Sequence, residues 1–143
     1  MYKKEVMSTM FEPSDGNSRV LIIDNNSAFT HRASLLLQHT RHYVVCEEND
    51  ARRALETARS FKPDLILLDL IMPEADGTEI AAQIKSDWTL HGVPIVFVTA
   101  LITPEEAQDG RRIEGHRVVA KPTNSSELIN VVEKNLPRCG AAF

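Results

Sequence analysis

This sequence predicts a doubly wound α/β fold, and three observations lead to it. Short apolar runs alternate along the chain with segments whose apolar residues recur at helical spacing. The runs are continuous rather than alternating apolar and polar, as in parallel strands buried on both faces. Every run but the second ends in one member of a small polar set: Asp24, Asp69, Thr99 and Lys121.

The elements follow in order. Arg19-Val-Leu-Ile-Ile-Asp24 is the first buried run, and Asn25, Asn26 and Ser27 supply cap-type residues for a helix with Phe29, Ala33, Leu36 and Leu37 on one face. Tyr43-Val-Val-Cys46 is a second, short strand. After Asn49 and Asp50, residues Ala51, Ala54, Leu55 and Ala58 mark a second helix that stops before Lys62-Pro63. Leu65 to Leu68 run straight into Asp69, then into a loop punctuated by Pro73 and Gly77, and Gly77 opens a third helix carrying Ile80, Ala81, Ile84 and Trp88. Pro94-Ile-Val-Phe-Val-Thr99 is the fourth strand. Thr103-Pro-Glu-Glu106 reads as a capping box opening a short polar helix, which Gly110 weakens. Arg117-Val-Val-Ala-Lys121 is the fifth strand, and Asn124 with Glu127 caps a last helix bearing Leu128, Ile129, Val132 and Leu136, ended by Pro137. Five strands and five helices joined by right-handed crossovers give a flavodoxin-like sheet of order 2-1-3-4-5, whose ligand crevice opens between strands one and three.

Composition bounds the function. The 143 residues fit one globular domain, expected over 19–136, with a tail or linker at 1–18 and a second tail at 137–143. Val6, Met7, Met10 and Phe11 recur at helical spacing inside the first tail, which otherwise ends in structure-breaking residues. The net charge is −4 and no basic block exceeds two residues, which argues against direct nucleic-acid binding. Cys46 lies in an apolar run and Cys139 in the tail, so no structural disulfide is expected and a reducing cytoplasm is the simplest location. No segment has the roughly 18 apolar residues of a membrane span.

The polar strand ends carry the chemistry. An ionised carboxylate at the mouth of an apolar strand is costly unless a cation, a donor or water meets it, so Asp69 is placed for chemistry rather than packing. Neighbouring strands lie about 4.8 Å apart, so strands one, three, four and five gather Asp24, Asp69, Thr99 and Lys121 around one crevice. Two carboxylates, a hydroxyl and an ammonium suit a hard cation and a phosphoryl group. One carboxylate can itself serve as nucleophile, forming an acyl phosphate.

On these residues the chain resembles a response-regulator receiver domain of bacterial two-component signalling, from about Arg19 to Leu136. The matching features are the acidic end of strand one at Asp24, the stretch Asp69-Leu-Ile-Met-Pro-Glu-Ala-Asp-Gly77, Thr99-Ala100 and Lys121-Pro122. The resemblance implies that Asp69 is the phosphoacceptor, that Thr99 and Lys121 contact the phosphoryl group, and that Asp24, Asn25, Asp69 and the Ile71 carbonyl surround Mg²⁺. It also implies a cis Lys121–Pro122 bond. A histidine kinase or phosphotransfer protein is the expected donor. An unidentified downstream protein is expected to read the face formed by the fourth helix, fifth strand and fifth helix. The expected protein is a stand-alone receiver, monomer or homodimer, acting as a relay or sink.

Three departures from the family pattern matter. Asn25 stands where a second acid is usual, which predicts weaker metal binding and slower phosphorylation. Val118 occupies the place of the aromatic switch residue, so signal transmission must use other contacts. Ile71 and Leu101, two residues past Asp69 and Thr99, are both apolar and are expected to restrict water near an acyl phosphate. Polar replacement of both should then shorten its life.

Each residue also has a plainer reading. Asp69 alone reads as a solvated loop acid, Asp24 and Asn25 as caps of the first helix, Thr99 as an ordinary β-branched strand residue and Lys121 as a surface lysine. The histidines His31, His39, His42, His91 and His116 show no metal spacing and read as surface residues. Two other functions compete with the phosphoacceptor. A degenerate receiver would bind a partner without phosphorylation, and Asn25 favours it. A flavodoxin-like cofactor binder fits the fold but lacks a Gly-rich phosphate loop.

Overall fold

The computed structural model describes residues 17–103, 105–106, 110–122 and 124–137. Both expected tails lie largely outside them, as does most of the expected fourth helix. Six strands are present: β1 (Ser18–Ile23), β2 (Tyr43–Glu48), β3 (Leu65–Asp69), β4 (Ile95–Thr99), β5 (Arg112–Ile113) and β6 (His116–Ala120). Four helices are described: α1 (Ser27–His39), α2 (Ala54–Phe61, led by a 3₁₀ turn at Ala51–Arg53), α3 (Gly77–Ser86) and α4 (Ser125–Asn135).

The sheet order is β2-β1-β3-β4-β6-β5. All pairs are parallel except β5 with β6, an antiparallel hairpin that adds an edge strand the sequence did not predict. Glu114 (φ 53°) and Gly115 (φ 82°) both take the left-handed conformation that a tight two-residue hairpin turn requires. With β6 as the fifth parallel strand, the doubly wound order stands.

Alternation along the strands sorts the core into two layers. Leu21, Ile23, Ile66, Leu68, Ile95, Phe97 and Val118 face α2 and α3, meeting Ala54, Ala58, Ile80 and Ile84. Val20, Ile22, Leu65, Leu67, Val96 and Val98 face α1 and α4, meeting Phe29, Ala33, Leu37, Leu128 and Val132. Strands covered on both faces have no solvent side, which is why they read as unbroken apolar runs.

Caps set where helices begin. Asn26 Oδ1 accepts from the Phe29 N–H at 3.1 Å, so the cap of α1 is Asn26, not Asp24 or Asn25. Asp76 and Glu79 form a reciprocal capping box at α3. The box expected at Thr103 is present: Thr103 N–H donates to Glu106 Oε1 at 2.8 Å, and Glu106 N–H to Thr103 Oγ1 at 3.1 Å. Gly77 is a close-approach glycine, because a Cβ there would strike the Asp69 carbonyl oxygen and sit 2.8 Å from Leu70 Cα.

Three expectations are corrected. Trp88 lies beyond the end of α3 and is 83% exposed, since Asp87 takes an extended conformation and turns the chain off the helix. The Lys121–Pro122 bond is trans. The two isomers of an X–Pro bond differ by only about 0.5–1 kcal/mol intrinsically, so local context decides between them. His116 is half-buried with its ring edge-on to Phe97 at 5.5 Å, whereas the other four histidines are exposed.

Candidate functional site

Strand register builds the site. Ile23 pairs with Leu68 and Asp69 with Val98, so Asp24 and Asp69 leave adjacent strands at the same level. Thr99 pairs with Ala120, which puts Lys121 one residue past the end of β6. The period-2 alternation turns Asp24, Asp69 and Lys121 toward the α1 and α4 side.

These three side chains come together. Lys121 Nζ lies 2.8 Å from Asp24 Oδ2 and 4.6 Å above the Phe29 ring. The Asp24 and Lys121 charges act on the Asp69 carboxyl, and the Ile71 N–H favours its ionised form. Asp24 is 2% exposed, Asp69 8% and Thr99 1%. Burial pushes the Asp69 carboxyl up to about 6, the Asp24 charge pushes the same way, and Lys121 opposes both.

Asp24 is held on three sides. Its N–H donates to the Glu48 carbonyl at 3.1 Å, its Oδ1 accepts from the Asn26 N–H at 2.9 Å, and its carbonyl accepts from Asn49 Nδ2 at 2.8 Å. Oδ2 is different. It faces Lys121 as an ion pair but lacks hydrogen-bond geometry, leaving a buried carboxylate oxygen with no hydrogen bond among the described residues.

Thr99 ends β4 beside the start of the Lys121 loop. Its Oγ1 accepts from the Leu101 N–H at 3.1 Å, and its carbonyl accepts from the Lys121 N–H at 2.9 Å, tying the β4 loop to the lysine. No direct bond joins Thr99 to Asp69. Asn25 is exposed at the rim, and Ile71 and Leu101 are 59% and 67% exposed.

The donor set fits a hard divalent cation. Two adjacent carboxylates with one lysine carry a surplus negative charge, and Asp24 Oδ2 is held by the Lys121 ion pair with no hydrogen bond among the described residues. The set is lean, however. No cluster of three or more His, Cys, Asp or Glu side chains that could hold a metal ion occurs among the described residues. Sequence reasoning found the four strand-end residues and missed Asn49, Thr30 and Phe29. Asn49 meets Asp24, and Thr30 meets Asn49, only through the packing of β2 beside β1, which no local motif announces.

A doubly wound sheet with paired aspartates and a lysine at the carboxyl ends of its strands defines the class, and the comparisons agree. The response regulator receiver domain matches residues 20–133, and the chain belongs to that family. It is 25% identical over 115 residues to Protein PilH of Pseudomonas aeruginosa, covering 80% of this chain and 94% of PilH. It is 30% identical over 120 residues to the transcriptional regulatory protein PdtaR of Mycobacterium tuberculosis, covering 84% of this chain but 57% of PdtaR. The chain therefore spans nearly all of one relative and little more than half of the other. The solved structure of the Vibrio cholerae chemotaxis protein CheY4 superposes with a TM-score of 0.72 at 27% identity, covering 84% of this chain and 99% of that one.

Receiver domains are signalling domains of two-component systems rather than classical enzymes, and response regulators interact with histidine kinases or phosphotransfer proteins. No helix among the described residues is long and apolar enough to cross a membrane.

Proposed function

We propose that the protein accepts a phosphoryl group on Asp69 from a histidine kinase or phosphotransfer protein, in the cytoplasm, and passes the signal on through protein contacts. One observation carries this reading: Asp69 is buried at a strand end beside a second carboxylate and a lysine, an environment built around charge that the fold itself does not neutralise. An Asp69 carboxylate oxygen attacks phosphorus, and the bond from phosphorus to the donor breaks with its electron pair leaving on the donor. Asp69 must be ionised to attack. Lys121 and the Thr99 hydroxyl are assigned to the phosphoryl oxygens. Asp24, Asn25, Asp69 and the Ile71 carbonyl would hold Mg²⁺, which when bound offsets charge on the phosphoryl group.

The test is incubation with acetyl phosphate and MgCl₂, read by intact mass. A phosphoryl adduct on the wild type that is absent from Asp69→Ala is the expected result. No adduct on the wild type would overturn the proposal and leave the second reading, a partner-binding module independent of phosphorylation. Asn25 is the observation that favours that reading, since it removes one metal-ligating charge.

A further inference from the structure

A chain of polar side chains at the carboxyl end of β2 takes no part in the phosphoryl chemistry yet converges on Asp24. Asn49 Nδ2 donates to the Asp24 carbonyl at 2.8 Å and to Thr30 Oγ1 at 2.9 Å. Thr30 is fully buried, and its hydroxyl lies 2.9 Å from Glu47 Oε1 and 3.2 Å from the Ser27 carbonyl. With one proton to give, it favours the nearer, charged acceptor. His31 Nδ1 stands 3.5 Å from the other Glu47 oxygen. Asn49 Nδ2 is thus a double donor, with one proton on Thr30, which itself donates to Glu47, and the other on the Asp24 carbonyl.

We infer that Asn49 is a positioning residue for the cation site. The inference rests on the reading of that site as one that binds Mg²⁺. Asn49 fixes the backbone of Asp24 from the β2 side while Asn26 fixes Oδ1 from the α1 side, and together they hold Oδ2 toward the crevice. Thr30, which donates to Glu47, accepts one Asn49 N–H, and this second anchor fixes the plane of the amide whose other N–H holds Asp24. Preorganisation matters more here than in a three-acid site. Two carboxylates and a neutral amide offer less attraction, so the free energy lost when Asp24 is free to turn is a larger share of the whole.

The experiment titrates MgCl₂ into the wild type, Asn49→Ala and Asp50→Ala by calorimetry, with folding checked by circular dichroism. Asp50 caps the neighbouring 3₁₀ turn through the Arg52 N–H at 3.0 Å, so its loss loosens the same loop without touching Asp24. Asn49→Ala is expected to weaken Mg²⁺ binding about tenfold, and Asp50→Ala by less than about twofold. Equal Mg²⁺ affinity in Asn49→Ala and the wild type would overturn the inference, as would an equal loss in both variants, which a loosened loop alone would produce. The acetyl phosphate result separates the two failures. A wild type that binds Mg²⁺ and takes up phosphoryl, beside an unaffected Asn49→Ala, removes this inference alone; a wild type that does neither removes the site reading with it.

Discussion

Asp69 and Asp87 are the same residue type near opposite ends of one sheet, and their surroundings drive them in opposite directions. Burial and the neighbouring Asp24 charge raise the Asp69 carboxyl to about 6. The Thr89 hydroxyl, then the Arg59 guanidinium and the Thr89 N–H, lower the Asp87 carboxyl to about 2. Around Asp87 other charged side chains also have local partners. Arg19 donates through its backbone N–H to Asp64 and through Nε to the Phe61 carbonyl, and it stacks 4.3 Å over the Phe61 ring. Lys85 Nζ donates to the carbonyls of His91 and Val93. A concavity of about 730 Å³ at this end, lined by Lys62, Trp88 and Leu90 among others, contains no paired carboxylates. One end of the sheet pairs its charges locally; the other sets two carboxylates against one lysine. A polar group that its own fold leaves unsatisfied is where a ligand belongs.

The sharpest way to break this contrast is Asp69→Asn. It should abolish phosphoryl uptake and at the same time stabilise the fold at pH 7, by about 1–2 kcal/mol after allowance for solvent screening. The sign follows from the raised pKa. The folded state binds the Asp69 proton more tightly than the unfolded chain, so ionisation costs stability as pH rises from about 4 through about 6. Urea unfolding of both proteins should therefore show a gap at pH 7 that closes toward pH 4. A variant less stable than wild type at pH 7 would contradict the reading of Asp69 as a functionally placed, stability-costing charge.

Asn25→Asp sharpens the contrast by adding charge to the end that already has a surplus. Mg²⁺ affinity should rise roughly tenfold, with faster uptake from acetyl phosphate. Without metal, the extra acid should lower stability, since it adds to the surplus of negative charge beside Asp24 and Asp69. Unchanged Mg²⁺ affinity would show that position 25 does not face the cation.

Arg59→Met gives the smallest effect. It removes one of the donors to Asp87 and leaves the Thr89 hydroxyl and N–H in place. Phosphoryl uptake should stay at the wild-type rate, and stability should fall slightly at neutral pH. Because the Asp87 pKa is depressed, its contribution is present above about pH 4 and is lost as pH falls through about 2, the reverse of the Asp69 case. A matching loss of phosphoryl uptake would mean that the two ends are energetically coupled.

Much of the fold is legible locally. Apolar runs gave β1, β3 and β4 to within a residue or so, and the cap residues Asn124 and Thr103 sit where the side-chain hydrogen bonds form. The two-residue strand β5 was not legible, because it exists only by pairing with β6 and carries no pattern of its own. Trp88 misled for a related reason. Its spacing fits a helical face, but Asp87 ends the helix by bonding forward to Thr89.

By itself, the sequence determined which residues end the buried strands and hence the chemistry available to the site: two aspartates, a threonine and a lysine, with an amide in place of another acid. Apolar periodicity and cap chemistry act over a few residues, and that is enough to place each strand end. Only the tertiary structure decided how these groups meet. The pairing of β1 with β3 set the carboxylates side by side, burial raised one of them, and the packing of β2 against β1 brought Asn49 to both Asp24 and Thr30. Desolvation and long-range hydrogen bonds depend on neighbours distant in sequence, so no window of the chain contains them.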